Sequence, residues 1–317
     1  MKTFKYALAG FTALSTVACA YSPEEAAVES AAAVEENAAE DVNEVTEAPA
    51  EAVDSSVLLA GVLEAQAEEN KARFDDRHPA ETIEFFGIEP GMTVAEVLPG
   101  GGGWYTKILL PYLGDEGSLI GIDYSVDMWS KFGGFATPEF LEAKESWAAT
   151  WTESALEWRG GTDANVSAFA FGGRDAATDG TVDAVLMIRA LHHLNRFNTD
   201  EKDYMEEALA DVHALLKPDG TFAIVQHSGP EANDDEWAKG DNGYMKQSAV
   251  IAIVEAAGFE LVAESDINAN PLDVPTNEEF VWRLPPSLGT SGEDPELRAE
   301  MEAIGETNRM TLKFQKV

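Results

Sequence analysis

The alternation of short apolar runs and helical segments between residues 93 and 226 limits the fold of this chain more than any other feature. Five runs have the length and apolar character of buried strands, and segments with helical spacing separate them. Near-continuous apolar strands joined by helical crossovers are typical of a parallel sheet covered on both faces, so we predict a doubly wound α/β domain. The predicted strands are residues 93–98, 118–122, 166–171, 184–188 and 221–226.

Helical spacing is also present before and between these strands, and two further strands follow them. Residues 57–76 have helical spacing, and Pro79 begins a helix that Gly87 ends. The predicted crossover helices are residues 104–113, 128–132, 139–158 and 202–216, followed by a helix at 245–257 and strands at 260–264 and 310–316.

Residues 268–304 are rich in proline, and we predict an irregular segment there. Phe280 and Trp282 are large apolar residues within it. They either pin the segment to the core or roof a substrate pocket.

The N-terminal 20 residues have the features of a signal peptide. Lys2 and Lys5 precede an apolar run, residues 6–17, that is too short for a stable membrane span. Residues 16–19 resemble a bacterial lipobox in which Cys19 would be lipidated, whereas residues 18–20 fit the small-x-small rule of ordinary signal cleavage. Both alternatives predict an exported, periplasmic protein, and the first predicts a membrane-anchored lipoprotein.

Residues 21–55 form a predicted acidic, disordered tether, and residues 56–317 form the predicted folded domain. Residues 21–54 contain eleven acidic residues and no lysine or arginine. Self-repulsion and the scarcity of large apolar side chains predict an extended segment.

The charge of the chain excludes two classes of partner. A formal net charge of −37 argues against direct binding to nucleic acid or to anionic lipid, because both need a cationic surface. We expect a small-molecule partner, and membrane contact only through Cys19. Because Cys19 is the only cysteine and lies in the signal segment, neither a disulfide nor thiol catalysis is expected in the domain.

A glycine-rich turn after the first predicted strand indicates a ligand site. Pro99 precedes four consecutive glycines, which allow a ligand to approach the backbone closely. Glu96 lies near the end of the first strand, and Asp123 ends the second, where a carboxylate can accept hydrogen bonds from both hydroxyls of a ribose. No Lys-Ser/Thr pair follows the glycines, which argues against a triphosphate P-loop.

Five blocks in this order resemble class I S-adenosylmethionine (SAM)-dependent methyltransferases: TVAEVLPGGGGWYT, LIGIDYS, TVDAVLMIRALHHL, ALLKPDGTFAIVQH and AAGFELV. The resemblance covers residues 77–317, and RHPAETIEFFGIEPGM, GGGWYT and NRMTLKFQKV further resemble a little-characterised bacterial group of predicted methyltransferases with export signals. It implies a mostly parallel seven-stranded sheet with an antiparallel last strand, and SAM as the cofactor.

The resemblance also assigns residues to the cofactor. It places Glu96, Pro99, Gly100, Gly101, Gly102 and Asp123 on cofactor-binding positions. Leu98 stands where the family normally has glycine, and Asp175 is a candidate contact for the adenine amino group.

His192 and His193 follow the fourth strand, where the family places substrate-facing residues. A neutral imidazole there can accept a proton from an oxygen or nitrogen nucleophile, although one histidine of such a pair commonly packs beneath the loop. Tyr105, Arg189 and His227 are weaker candidates for the site wall. No metal site is expected, because adjacent histidines on a helix point about 100° apart and no third ligand is spaced with them.

Three functions are compatible with these residues. The leading interpretation is SAM-dependent methyl transfer to a small molecule. The second is a non-catalytic exported ligand-binding protein on the same fold, because free SAM is a cytosolic metabolite. The third is a nicotinamide-dependent dehydrogenase. Three features favour the methyltransferase pattern over it: the acidic residue before the glycines, the sequence LLKPDG before the fifth strand, and the predicted antiparallel last strand.

Overall fold

A computed structural model describes residues 54–317 of the chain. The predicted signal peptide, Cys19 and nearly all of the predicted tether lie outside these residues. The first helix begins at Ser55, one residue before the predicted domain boundary, and the Asp54 side chain caps it by accepting a hydrogen bond from the Ser56 amide at 3.0 Å.

The core of the fold is one seven-stranded sheet, and it confirms the predicted fold class. The strand order is β3-β2-β1-β4-β5-β7-β6, and β7 is antiparallel to both β5 and β6 while β1 to β5 are parallel. The strands are β1 Thr93–Val97, β2 Ser118–Asp123, β3 Asn165–Ala170, β4 Val182–Ile188, β5 Leu216–His227, β6 Phe259–Ser265 and β7 Arg309–Lys316.

Helices cover both faces of the sheet. They are α1 Ser55–Glu64, α2 Glu68–Lys71, α3 Phe74–Arg77, α4 Pro79–Phe86, α5 Thr106–Leu113, α6 Val126–Trp129, α7 Pro138–Glu145, α8 Trp147–Glu157, α9 Leu191–Arg196, α10 Tyr204–Leu215, α11 Gln247–Ala256 and α12 Pro295–Ile304. Helices α1, α4, α5 and α8 pack on one face with Val94 of β1, and α6, α9, α10 and α11 pack on the other with Ala95 and Val97. This alternation along β1 is what a sheet buried on both faces requires.

Three predicted helical stretches are interrupted in the structure. Residues 57–76 form three short helices, residues 139–158 divide at Ser146 into α7 and α8, and a 3₁₀ turn, Ser130–Phe135, follows α6. Gly133 has φ of +67° inside that turn and kinks the chain there. Apolar spacing continued across these breaks, so the pattern alone did not indicate them.

The prediction of an irregular segment at residues 268–304 was wrong for its last third. Helix α12 begins at Pro295, and the Asp294 side chain accepts hydrogen bonds from the Glu296 and Leu297 amides at 3.1 Å. An aspartate cap followed by proline at the first helical position is a helix-start signal. In residues 54–317, no helix is both long and apolar enough to cross a membrane.

Candidate functional site

The carboxyl ends of the parallel strands bring the predicted site residues to one edge of the sheet. Beyond β1, the Leu98 amide donates to the Ile122 carbonyl at 2.7 Å, and beyond β4 the Arg189 amide donates to the Val225 carbonyl at 2.7 Å. The chain then leaves the sheet at both points. A crevice over the ends of such strands is where open α/β sheets bind ligands.

The glycine loop, residues 99–103, has an open side and a closed side. A Cβ atom added at Gly100, Gly101 or Gly102 would meet no protein atom within 4 Å, and these three residues are exposed. Gly103 is buried, has φ of +53°, and an added Cβ would lie 2.7 Å from Cε3 of Trp158. The first three glycines therefore leave room for a ligand, whereas Gly103 is required by packing. Pro99 is buried at the start of the loop.

Leu98 has a backbone conformation that glycine adopts more readily than other residues. Its φ of +54° lies in the left-handed region, which is rare for a residue with a branched side chain. The departure at this position therefore changes the side chain but leaves a glycine-like turn into the loop.

Glu96 links the first strand to the helix after the loop. Its carboxylate is 5% exposed, and Oε2 accepts a hydrogen bond from the Thr106 hydroxyl at 2.7 Å. Burial raises the pKa of Glu96 to about 7, although the Thr106 bond acts in the opposite direction. Glu96 thus fixes the start of α5 against β1, and its charge is sensitive to anything that binds over the loop.

Asp123 is buried at the end of β2, and a lysine occupies one of its oxygens. Oδ1 accepts a hydrogen bond from the Tyr124 amide at 2.8 Å, and Oδ2 accepts one from Nζ of Lys144 in α7 at 2.7 Å. Burial raises the pKa of Asp123 even though Lys144 and the amide favour its charged form.

Lys144 is surrounded by aromatic rings. Its Nζ lies 4.0 Å from the ring centroid of Trp129, 5.4 Å from that of Phe140 and 5.8 Å from that of Trp147. Sequence reasoning missed Lys144, because it lies 21 residues after Asp123 on another element.

The residues around Asp123 and the glycine loop fit a ribose-containing cofactor. Beside the carboxylate, the indole Nε1 of Trp129 is buried and faces Asp123 closely enough to favour its charged form, but it makes no well-formed hydrogen bond in residues 54–317. A ribose hydroxyl supplies both the acceptor that Trp129 lacks and the donor that Asp123 accepts. The open side of the loop leaves the backbone accessible to the rest of such a molecule.

His192, at the start of α9 beyond β4, is buried and has a defined tautomer. The Gln226 amide donates to the Gly243 carbonyl at 2.9 Å, so its oxygen faces Nδ1 of His192 at 3.2 Å and accepts from it. Nε2 of His192 is therefore the unprotonated nitrogen. Burial lowers the pKa of His192 to about 4.

His193 is half-buried and lies closer to solvent than His192. Its Nδ1 lies 3.3 Å from the Tyr124 hydroxyl, which itself donates to the Ala190 carbonyl at 2.6 Å, so Nδ1 of His193 is the donor and Nε2 is bare. Burial and, to a smaller extent, the charges of His192 and Arg196 together lower the pKa of His193 to about 2. Both histidines are neutral at pH 7.

Trp282 lies over both histidines. Its ring stacks on His193 with an interplanar angle of 10° and a centroid distance of 6.4 Å, and it lies 6.2 Å from His192. Phe280 packs against Trp282 at 6.3 Å. Trp282 is half-buried and lines a cavity, so it forms part of the cleft wall.

Other residues anchor the segment that carries Trp282. Val281 and Leu284 are 4% and 0% exposed, and Arg283 donates to Asp273 at 2.8 Å. The Tyr244 hydroxyl also donates to Asp273, at 2.8 Å. Neighbouring residues therefore pin the segment, and Trp282 lies against the two histidines; a roof over a substrate stays a prediction.

Four arginines lie beside this cleft, and sequence reasoning identified only Arg189 among them. Arg73, Arg77 and Arg309 come from α2–α3 and β7, and they converge on the carboxylate of Glu306. Residues separated by more than 200 positions meet here, and no local spacing in the sequence could indicate it. Tyr105 is buried near these arginines, and His227 donates to or accepts from the Thr307 hydroxyl at 2.6 Å.

Asp175, the candidate adenine contact, has a local structural role. It is exposed and caps a 3₁₀ turn, Ala176–Thr178, by accepting a hydrogen bond from the Ala177 amide at 2.9 Å. Among the residues that the structure describes, no group of three or more His, Cys, Asp and Glu side chains is arranged to hold a metal ion.

Comparison with known proteins finds similarity at the level of structure. No protein-family model matches the chain, and no curated protein matches it. A SAM-dependent methyltransferase from Aquifex aeolicus aligns with 82% of this chain and 98% of its own, at 15% identity and a TM-score of 0.43.

Two further solved structures align in the same way. The Burkholderia thailandensis 1,6-didemethyltoxoflavin-N1-methyltransferase, solved with 1,6-didemethyltoxoflavin and S-adenosylhomocysteine, covers 83% of this chain and 88% of its own, at 16% identity and a TM-score of 0.43. The cyclase SpnF covers 76% of this chain and 80% of its own, at 16% identity and a TM-score of 0.45.

Proposed function

We propose that this protein transfers a methyl group from SAM to a small molecule. The observation that carries the proposal is the pairing of an open glycine loop after β1 with a buried carboxylate at the end of β2. When bound, SAM supplies a methyl group on a sulfonium, which is already a good leaving group. The protein therefore has to position the acceptor, exclude water and receive a proton.

Each of these tasks has residues suited to it. Asp123 and the Trp129 indole hold the ribose, and the backbone of residues 100–102 approaches the remainder of the cofactor. Trp282 would hold the acceptor with a lone pair toward the methyl group that bound SAM would supply, and S-adenosylhomocysteine would be the product that keeps the electrons of the broken carbon–sulfur bond. The proton of the acceptor passes to Nε2 of His193, which is the more accessible of the two bare imidazole nitrogens.

The low pKa values of the histidines support one alternative. A base with a pKa of about 2 or 4 is weak at neutral pH, so a non-catalytic ligand-binding protein remains the second candidate. Binding of SAM without turnover of any acceptor distinguishes that candidate from the enzyme.

Isothermal titration calorimetry with SAM and with S-adenosylhomocysteine tests the proposal. We expect both to bind, and we expect Asp123→Ala to weaken binding roughly tenfold to a hundredfold, since a hydrogen bond to a charged group contributes ~1.5–3 kcal/mol. Asp219→Ala, at an exposed position near the start of β5, is the control and should bind like the wild type. Binding of nicotinamide cofactors but not of SAM would exclude a methyltransferase.

We also propose that the protein is exported and tethered by a lipid at Cys19. Incorporation of labelled palmitate that disappears in Cys19→Ser is the expected result. A soluble periplasmic form that begins at Tyr21 would exclude the anchor but not export.

A further inference from the structure

The arginine cluster, Arg73, Arg77, Arg189 and Arg309, contains more positive charge than its carboxylates balance. Arg77 Nε and Arg309 Nη1 each lie 3.1 Å from an oxygen of Glu306, and Arg73 pairs with the same carboxylate. The acidic residues that act on these four guanidinium groups are Glu306, Asp76 and Asp273, and Asp273 is already paired with Arg283. An excess of positive charge at this site contrasts with a chain whose net charge is −37.

Arg189 is the member of the cluster without a partner. Its side chain forms no hydrogen bond or ion pair with residues 54–317, and its Nε is buried. Burial lowers the pKa of Arg189, and the charge of Arg309 lowers it further. Arg189 is half-buried, and a partly desolvated cation without a partner is costly to a folded protein, so its position calls for an anion that residues 54–317 do not supply.

A small cavity lies against Arg189. Its volume is about 100 Å³, enough for a compact group such as a carboxylate or phosphate. None of its lining residues belongs to the glycine loop or to the end of β2, so the cavity lies on the histidine side of the cleft and not on the cofactor side. Its lining includes Arg189, His227, Trp282, Glu306 and Thr307.

We propose that this cavity binds an anionic group, a carboxylate or phosphate, of the molecule that receives the methyl group, and that Arg189 is its principal ligand. The proposal names the substrate class for the function proposed above and therefore rests on it. Glu306 also lines the cavity, but three arginines already neutralise it, and His227 is uncharged because burial lowers its pKa well below the usual range. Trp282 covers the cavity and the two histidines together, which places an anion-bearing acceptor next to His193.

Thermal unfolding with inorganic phosphate and with acetate tests the site without knowledge of the substrate. Each is compared with chloride at equal ionic strength. At ten times the half-saturating concentration, we expect the Tm of the wild type to rise by about 3–6 °C. Arg189→Gln should lose this rise, yet have a Tm in chloride equal to or above that of the wild type, because it removes an unpaired, half-buried charge. Arg298→Gln, in an exposed pair on α12, is the matched control and should keep the rise.

Arg189→Lys, which retains the charge, should keep part of the rise. Three results would overturn the proposal: a wild type that responds to phosphate and acetate no more than to chloride, an Arg189→Gln protein that keeps the full response, or one that unfolds well below the wild type in chloride. The last result would assign Arg189 a structural role.

SAM calorimetry on Arg189→Gln separates the possible sources of the anion. Unchanged SAM affinity supports a substrate anion. A loss of tenfold or more would show that the arginine cluster binds the carboxylate of the cofactor, and would overturn the assignment to the substrate. A wild type that responds to phosphate but does not bind SAM would support the anion site while refuting the proposed function.

Discussion

Two glycines in one loop, Gly101 and Gly103, should respond in opposite ways to the same substitution. At Gly103, alanine must adopt φ near +53°, which costs ~1–2 kcal/mol, and its Cβ would lie 2.7 Å from Cε3 and 3.0 Å from Cη2 of Trp158. Displacing that ring adds ~1–3 kcal/mol of overpacking. We therefore expect Gly103→Ala to lose ~2–5 kcal/mol of unfolding free energy.

Gly101→Ala should leave stability nearly unchanged. Its φ is not in the left-handed region, and the added Cβ would meet no atom within 4 Å. The change in unfolding free energy should stay within ~0.5 kcal/mol. If the cofactor lies on this side of the loop, however, SAM affinity should fall at least tenfold, or ~1.4 kcal/mol.

Urea unfolding and SAM calorimetry give an unfolding free energy and a SAM affinity for each variant, and these four values test whether Gly103 serves packing and Gly101 serves the ligand. Unfolding supplies the stability of each variant, and calorimetry is carried out below the unfolding transition of Gly103→Ala. The reasoning fails if Gly101→Ala binds SAM like the wild type, because the open side of the loop would then face no ligand. It also fails if Gly103→Ala is as stable as the wild type, because the packing of Trp158 against the loop would then be wrong.

Three further predictions concern the residues around the cleft. Lys144→Met should raise SAM affinity by up to about tenfold, because Asp123 would no longer have to give up its bond to the Lys144 ammonium before it accepts a hydrogen bond from a ribose hydroxyl. A loss of affinity would instead indicate that Lys144 itself binds the cofactor. Trp282→Ala should raise the pKa of His193 toward 6.5, measured by NMR titration of the imidazole, with little change in SAM affinity; a drop in Tm as large as that expected for loss of a fully buried tryptophan would mean that Trp282 serves the core. The unfolding free energy should fall as pH is lowered from 7 to 5, because His192 and His193 have folded pKa values of about 4 and 2 and the unfolded state alone binds their protons below 6.5. Glu96, whose folded pKa is raised to about 7, stabilises the folded state as pH falls over the same range and so offsets part of this loss. Urea denaturation at pH 7 and at pH 5 should still show that the unfolding free energy decreases by more than ~1 kcal/mol. An unfolding free energy that stays constant would refute the assigned burial of the histidines.

Local patterns predicted the sheet well because a run of five or six apolar residues is enough to indicate a buried strand. The apolar runs at β1 and β2 are fully buried in the structure except at their first residues, and burial on both faces is what produces an uninterrupted apolar run. The same reasoning placed Glu96, Asp123 and the glycines at one edge, because parallel strands end together.

The parts of the site that sequence reasoning missed depend on contacts between distant segments. Lys144 reaches Asp123 from another element, and Arg77 meets Glu306 across 229 positions. Helix breaks such as the one at Ser146 were missed for a related reason: an apolar stripe can continue while the helix axis turns. Such features follow from tertiary packing, which overrides local propensity.

The backbone is strained just beyond two adjacent central strands, at the start of the glycine loop after β1 and at Arg189 after β4. Leu98 and Arg189, the first residues beyond β1 and β4, have φ of +54° and +57°. Each conformation costs ~1–3 kcal/mol for a residue other than glycine, which together is a substantial share of a typical unfolding free energy of ~5–15 kcal/mol. Each amide still continues the sheet by one hydrogen bond to the neighbouring strand, at 2.7 Å, before the chain turns away. The chain therefore turns away from the sheet in a left-handed conformation at two adjacent strand ends, with the glycine loop after one and Arg189 at the other, which is where the proposed cofactor and the proposed anionic acceptor would lie.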